Sequence, residues 1–297
     1  MQTRQLSRRS ALRLLPALAL GRSIGAQAAS QEGQIADLEA KVGGRLGVFA
    51  LDTATGRTIG HRADELFPMC STFKLLLASC VLSRVDAGKE QLSRPIPYTE
   101  KGLLEYAPIA RAHLQQGSMT VAELCAAAVE VSDNTAANLL LAQIGGPAGL
   151  TEFLRSIGDR VTRLDRTEPD LNTAIPGDPR DTTSPAAMVG SVRKLLIGGV
   201  LSPVNCGKLA DWLTQSTTGS KRLRAGFPAG WRAGDKTGTG ERGVIGDVGI
   251  FWPPRRGPIL VAAYLAEGDA TRDRREQAFA AVGRVIADRL SRPDAAG

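Results

Sequence analysis

Apolar positions along this chain change period twice. Residues 32–42 place Ile35, Leu38 and Val42 at helical spacing. Two β-type segments follow, Arg45–Asp52 and Arg57–Arg62, joined by Thr53-Ala54-Thr55-Gly56. A short polar linker ending in glycine predicts a hairpin. From Ser71 to Leu213 the pattern turns helical, with Phe73–Val85 and Val121–Ile144 rich in alanine and leucine. Gly145-Gly146-Pro147 is expected to stop the second of these runs. After Trp231 the strands return as Trp231–Gly238, Val244–Trp252 and Ile259–Ala266. A closing amphipathic helix, Arg272–Leu290, carries Phe279, Val282 and Ile286 on one face.

β-rich ends around an α-rich middle predict an α/β (α+β) fold. The ends, 29–66 and 215–297, are expected to form one antiparallel sheet flanked by the terminal helices. Residues 67–214 are expected to form an all-α domain. One stretch, Arg163–Pro185, breaks the helical pattern with three prolines before its end and several Asp and Thr residues. So long a loop inside a globular fold more often serves function than linkage, and its core spans about 163–181. No internal repeat is visible.

Composition changes this picture little. The formal charge of +7 invites a polyanion partner, but Arg4, Arg8, Arg9, Arg13 and Arg22 supply most of it from the first 28 residues, which carry no acid. The remainder is nearly neutral, which removes the electrostatic case for nucleic acid. That N-terminus reads as an export signal, residues 1–28. It has Ser7-Arg8-Arg9-Ser10, an apolar run Leu14–Leu20 and an Ala26-Gln27-Ala28 cleavage site. The apolar run is too short to span a bilayer, so no stable membrane anchor is expected. The mature chain is expected in the periplasm or outside the cell. Both the general and the twin-arginine export routes stay open, because Ala11 stands where the twin-arginine pattern usually has a bulky apolar residue. Cys70, Cys80, Cys125 and Cys206 form no C-x-x-C pair, and His61 and His113 are the only histidines. No metal or cofactor is expected. Buried free thiols are the expectation for the four cysteines.

Chemistry concentrates in short motifs. Ser71-Thr72-Phe73-Lys74 starts an apolar helix, so the serine and lysine share one helical face. A serine at a helix start has the N-terminal dipole beside it, and a buried lysine loses proton affinity and can serve as a base. Ser132-Asp133-Asn134 precedes the helical run Thr135–Leu141. Lys236-Thr237-Gly238-Thr239-Gly240 lies at a strand end. Each has a plain structural alternative: a helix cap with a solvated lysine, an N-cap cluster, an edge strand. Their order and contexts favour serine acyl transfer. Two look-alikes show how weak one motif is. Ser191-Val192-Arg193-Lys194 repeats S-x-x-K without support and reads as an exposed helix face. Gly21-Arg22-Ser23-Ile24-Gly25 spells a nucleophile elbow inside the export signal.

The long loop adds Arg166-Thr167-Glu168-Pro169-Asp170-Leu171-Asn172. With it, essentially the whole mature sequence resembles the class A serine β-lactamases, small-molecule hydrolases of the penicillin-recognising fold. The resemblance implies Ser71 as nucleophile, Lys74 and Glu168 as proton-transfer groups, and Ser132 as the relay to the leaving nitrogen. Whether Lys74 or Glu168 accepts the serine proton stays open. It further implies that Glu168 and Asn172 hold the hydrolytic water, and that the backbone N–H groups of Ser71 and Thr239 form an oxyanion hole. Lys236, Thr237, Gly238 and Thr239 would bind the substrate carboxylate. Asn134 would hold a substrate amide, and Tyr106 would stand at the entrance. Arg222 matches an extra arginine beside the strand lysine, with Arg224 a near neighbour. Arg166 and Asp181 match a pair closing the base of the family's Ω-loop; otherwise they are a weak surface ion pair.

The implied activity is hydrolysis of penicillins and cephalosporins by a monomer, conferring antibiotic resistance. Thr239 resembles members that handle cephalosporins well. Some members with broad carbapenem activity bridge the cysteine before the nucleophile to a cysteine matched here by Gly240, so Cys70 cannot form that bridge. A D,D-peptidase and a non-enzymatic sensor acylated by β-lactams are the rivals, and both would lack the Glu168 loop.

Overall fold

The computed structural model describes residues 33–290; the export-signal reading of 1–28 lies outside the described residues. Helix α1 spans 33–42. Then come β1 (Arg45–Asp52), β2 (Thr58–His61), β3 (Phe67–Pro68), a short 3-10 turn (Cys70–Thr72) and α2 (Phe73–Asp86). Next are β4 (Pro95–Pro97), α3 (Pro108–Ala112), β5 (Ser118–Thr120), α4 (Val121–Glu130), α5 (Asn134–Gln143) and α6 (Gly146–Ser156). After the long loop follow β6 (Thr182–Thr183), α7 (Pro185–Leu196), α8 (Pro203–Thr214), β7 (Arg232–Thr239), β8 (Ile245–Trp252), β9 (Ile259–Ala266) and α9 (Arg272–Leu290).

Five strands make one antiparallel sheet in the order β2-β1-β9-β8-β7. Its two faces meet different helices, and β9 is buried along its whole length. Ile259, Val261, Ala263 and Leu265 join α1 and α9 through Ile35, Phe279, Val282 and Ile286. Leu260, Ala262 and Tyr264, on the alternate register, join the helical layer around α2. A strand apolar on both faces shows a continuous run rather than alternation, the pattern carried by residues 259–266. The fold is thus the expected α+β arrangement, with one core on each side of the sheet.

Two expectations about the helical region need correction. The Ala- and Leu-rich run 121–144 is not one helix but two, with the break at the Ser132-Asp133-Asn134 cluster read above as an N-cap. Chain direction changes at Ser132, which adopts a left-handed φ of 63°. Asp133 then caps α5 by accepting from the Ala136 N–H at 2.9 Å. Short polar side chains offer the backbone such local partners, which interrupts an otherwise helical run. Gly145-Gly146-Pro147 also does more than stop a helix. Gly145 turns left-handed, and α6 begins with Pro147 in its first turn.

The look-alike Ser191-x-x-Lys194 is not a solvated face. Ser191 is buried, and its hydroxyl donates to Asp159 Oδ2 at 2.7 Å, while Lys194 Nζ donates to Ile157 O at 2.6 Å. Both side chains tie α7 to the end of α6.

Candidate active site

Strain marks the nucleophile's surroundings. Cys70 takes a left-handed φ of 45° as the first residue of the 3-10 turn that carries Ser71. Such a conformation in a non-glycine residue costs energy and needs support from its neighbours. Support comes from the sheet. A Cβ on Gly238 would lie 2.6 Å from Met69 O, so only glycine lets the edge strand β7 approach this turn. That glycine therefore has a packing reason independent of any ligand. Ser71 sits in the turn rather than in the helix proper, and α2 starts two residues later with Lys74 in its first turn.

Lys74 is fully buried and makes four short polar contacts. Its ammonium lies 2.9 Å from Glu168 Oε1 and donates to Asn134 Oδ1 at 2.6 Å, Ser132 O at 2.9 Å and Ser132 Oγ at 3.3 Å. Burial pushes its pKa below the usual lysine range, against the pull of Glu168. Ser71 Oγ donates to the same Glu168 Oε1 at 3.1 Å, and Asn172 Nδ2 donates to Glu168 Oε2. One carboxylate thus reaches the serine, the lysine and the loop asparagine.

On the opposite wall, Lys236 projects from β7 toward the helical layer, in register with Val248. It too is fully buried, and its Nζ donates to Ser132 Oγ at 3.0 Å and Thr237 O at 2.8 Å. Burial, with Lys74 and Arg222 nearby, pushes its pKa well below the usual lysine range. The Ser132 hydroxyl lies between the two ammonium groups, held there by Asp133. That carboxylate caps α5 with one oxygen and accepts from the Ile109 and Ala110 N–H groups with the other, at 3.0 and 2.9 Å.

The loop that brings in Glu168 closes on itself. Arg163 N donates to Thr182 O at 3.0 Å, and Asp181 Oδ1 accepts from the Asp165 and Arg166 N–H groups at 2.7 and 2.9 Å. Arg166 Nε meets Asp181 Oδ2 at 2.6 Å with the aspartate buried, so this is not a weak surface ion pair. Leu171 anchors the loop in the core.

Above these buried groups opens a cavity of about 370 Å³. Ser71, Ser132, Asn134, Asn172 and the exposed Tyr106 line one part; Thr237, Thr239 and Arg222 line the other. Arg222, not Arg224, belongs to this wall. Its guanidinium is buried and donates to Gly238 O at 2.7 Å, Gly246 O at 2.8 Å and Thr239 Oγ1 at 2.7 Å. Arg224 instead pairs with buried Asp235 at 2.8 Å behind the strand.

Three residues near the site escaped sequence reasoning. Asn138 holds the Glu168 backbone; its place one turn after Asn134 on α5 was the available signal. Thr218 accepts from Thr237 Oγ1 at 2.7 Å, and Arg272 lines the cavity from the start of α9; neither has a local cue. Cys70, Cys80 and Cys125 are buried free thiols as expected, but Cys206 is only half-buried. Burial pushes the Cys70 thiol up to about 12, which makes it inert. A Cβ on Gly240 would lie 2.6 Å from Cys70 Sγ, so the two positions adjoin although no bridge is possible. Among the described residues no cluster has the composition of a metal site.

The model of the β-lactamase enzyme family matches residues 31–290. The ancestral class A β-lactamase of Gram-negative bacteria is 58% identical with a TM-score of 0.86, over 87% of this chain and 99% of that one. The chain belongs to the class A serine β-lactamases. A second reconstruction of that last common ancestor is 60% identical with a TM-score of 0.86, over 87% of this β-lactamase and 98% of its own length. PenP from Rhodopseudomonas palustris, described as a candidate class A β-lactamase, is 54% identical with a TM-score of 0.85, over 87% of this chain and 99% of that one. The enzyme is a β-lactam hydrolase, as the family and these structures indicate.

Proposed function

We propose that this β-lactamase opens the lactam amide of penicillins and cephalosporins through a Ser71 acyl-enzyme, which water activated by Glu168 then hydrolyses. One observation carries the reading: Glu168 Oε1 lies within 3.1 Å of Ser71 Oγ and 2.9 Å of Lys74 Nζ, while Asn172 holds the other oxygen. A nucleophile joined to a base that a third group orients is the arrangement acyl transfer needs.

In the first half-reaction Ser71 Oγ attacks the lactam carbonyl carbon. Its proton has a direct path to Glu168 Oε1, with Lys74 sharing that oxygen. The N–H groups of Ser71 and Thr239 stabilise the oxyanion. The C–N bond then breaks, and Ser132 gives its proton to the departing nitrogen, replenished from the adjoining ammonium groups. Lys236, Thr237, Thr239 and Arg222 hold the ring carboxylate, and Asn134 holds the amide side chain. Gly238 keeps the strand against the nucleophile's turn, and Tyr106 shapes the entrance.

In the second half-reaction Ser71 Oγ is an ester oxygen. Glu168 has passed the serine's proton to Lys74, whose own proton replenished Ser132, so the Glu168 carboxylate is again free to act as base on water. Asn172 Oδ1 is buried with no partner among the described residues and can accept the water's other hydrogen. Glu168 removes a proton, the hydroxide attacks the ester carbonyl, the C–O bond breaks and Ser71 regains its proton.

The enzyme works as a monomer in the periplasm or outside the cell after cleavage near residue 28, a reading supported by the signal pattern. Among the described residues no helix is long and apolar enough to cross a membrane. In the division into a 29–66/215–297 unit and a 67–214 unit, the first is supported by a core drawn from its own residues, while the other core joins the helices of the second to one face of the sheet. The test is turnover of a chromogenic cephalosporin by the purified chain. Rapid multiple turnover is expected; stable labelling of Ser71 without hydrolysis would overturn the reading in favour of an acylated sensor.

A further inference from the structure

Two arginines reach the cavity from the side of β7, and they differ in freedom. Arg222 is fixed in place: its Nη groups donate to Gly238 O, Gly246 O and Thr239 Oγ1, its Nε has no hydrogen-bond partner among the described residues, and the residue is 1% exposed. Arg272 lines the same cavity with its side chain 68% exposed. A single carboxylate oxygen links them. Glu276 Oε1 lies 3.1 Å from Arg272 Nε and 3.8 Å from Arg222 Nε. The glutamate is one turn along α9 from Arg272 and itself buried, so it tethers the guanidinium at the cavity's edge. The Nη groups of Arg272 make no hydrogen bond among the described residues, so its positive charge stands exposed at the cavity's rim.

We propose that Arg272 is a specificity-determining residue that favours cephalosporins whose 3-substituent carries negative charge over those in which it is cationic. This rests on the carboxylate-binding role given above to Lys236, Thr237, Thr239 and Arg222. In a cephalosporin the carbon bearing the 3-substituent adjoins the carbon bearing the ring carboxylate. A carboxylate held by Thr237, Thr239 and Arg222 therefore turns the 3-substituent toward the arginine wall. The amide side chain leaves from the opposite end of the bicycle, toward Asn134 and Asn172. A group carried past the ring carboxylate meets Arg272, because Arg222 lies buried in the carboxylate-binding wall and only Arg272 stands exposed at its rim. Since the Arg272 guanidinium stands in water, its effect is electrostatic, moderate and screened by salt.

The test uses three cephalosporins with one phenylacetylamino side chain, differing only at C3: methyl, carboxymethylthiomethyl and pyridiniomethyl. Their kcat/KM values are compared for the wild-type chain, Arg272→Gln and Arg272→Glu at low and at high salt. The ratio of anionic to cationic substrate is expected to fall by roughly fivefold in Arg272→Gln and further in Arg272→Glu. The change should fall mainly on KM and shrink at high salt. An unchanged ratio in Arg272→Glu at low salt, with the wild type turning over all three, overturns the assignment of Arg272 alone. A wild type that hydrolyses none of them overturns the site reading, and this inference with it.

Discussion

Asn138 grips the peptide of Glu168 from both sides. Its Nδ2 donates to Glu168 O at 2.8 Å, and its Oδ1 accepts from Glu168 N at 3.0 Å. This pair joins the long loop to α5, the helix that also presents Asn134 at its start. The general base is therefore placed by a neighbour's side-chain amide as much as by the loop's own closure.

Replacing Asn138 with alanine leaves a buried N–H and C=O of the loop without partners, at about 1–3 kcal/mol. Thermal unfolding is expected to shift downward accordingly. The kinetic effect should be larger on release of the acyl group, since Lys74 still adjoins Ser71 for acylation whereas Glu168 is the one base assigned to the water. Stopped-flow measurement should show a burst followed by slowed turnover; a uniform loss in both phases would contradict the positioning role.

Glu168→Ala removes the group assigned to water activation but leaves Ser71, Lys74 and Ser132 in place. Loss of a general base typically costs about 10²–10⁴-fold in the step it serves. Incubation with a penicillin should give an intact mass increased by one substrate, located at Ser71 by peptide mapping. Unchanged turnover would refute the assignment.

The depressed pKa of Lys236 gives a pH signature. Its ammonium attracts the substrate carboxylate only when protonated, and burial favours the neutral amine. As pH rises through that lowered pKa the charge is lost, so KM for an anionic substrate should rise on the alkaline side earlier than an ordinary lysine would allow. Arginine stays protonated throughout. Lys236→Arg should move the alkaline limb to higher pH; an identical limb in both proteins would show that another group sets it.

Ser191→Ala addresses the look-alike motif. The buried hydroxyl donates to Asp159, whose other oxygen accepts from the Val161 and Thr162 N–H groups at 2.9 Å. Loss of one such bond is expected to lower stability by about 1 kcal/mol, read by denaturant or thermal unfolding, with kcat/KM unchanged. A fall in activity at full stability would point to a catalytic part for this serine.

Much of the molecule was legible along the chain. The bounds of β9 and α9 follow from continuous and amphipathic apolar patterns, which report local geometry and burial together. The trio at Ser71, Ser132 and Lys236, with Glu168, named the chemistry because each motif must sit at a helix start, a cap or a strand end to work. Other features were legible in part or not at all. The break at Ser132 was legible as an N-cap cluster before Thr135–Leu141, but that Asp133 is the capping residue, and that Ser132 turns left-handed, was not. Ser191 and Ser71 share a four-letter pattern, and only the partner facing each hydroxyl separates Asp159 from Glu168. Arg222 and Arg224 are two residues apart, and the 3-10 turn at Leu223–Gly226 sends one to the cavity and the other to Asp235.

Sequence by itself determined the reaction class and the strand–helix–strand order of the long elements, because both depend on residue type and short-range spacing. The two short ladders β3–β6 and β4–β5 inside the expected all-α region were not legible. Tertiary structure alone decided which oxygen of Glu168 meets Ser71 and Lys74, that Asn138 clamps the loop, and that Arg272 reaches the cavity beside Arg222. Those contacts join residues far apart along the chain. Their distances are set by sheet register and helix packing, which no local pattern encodes.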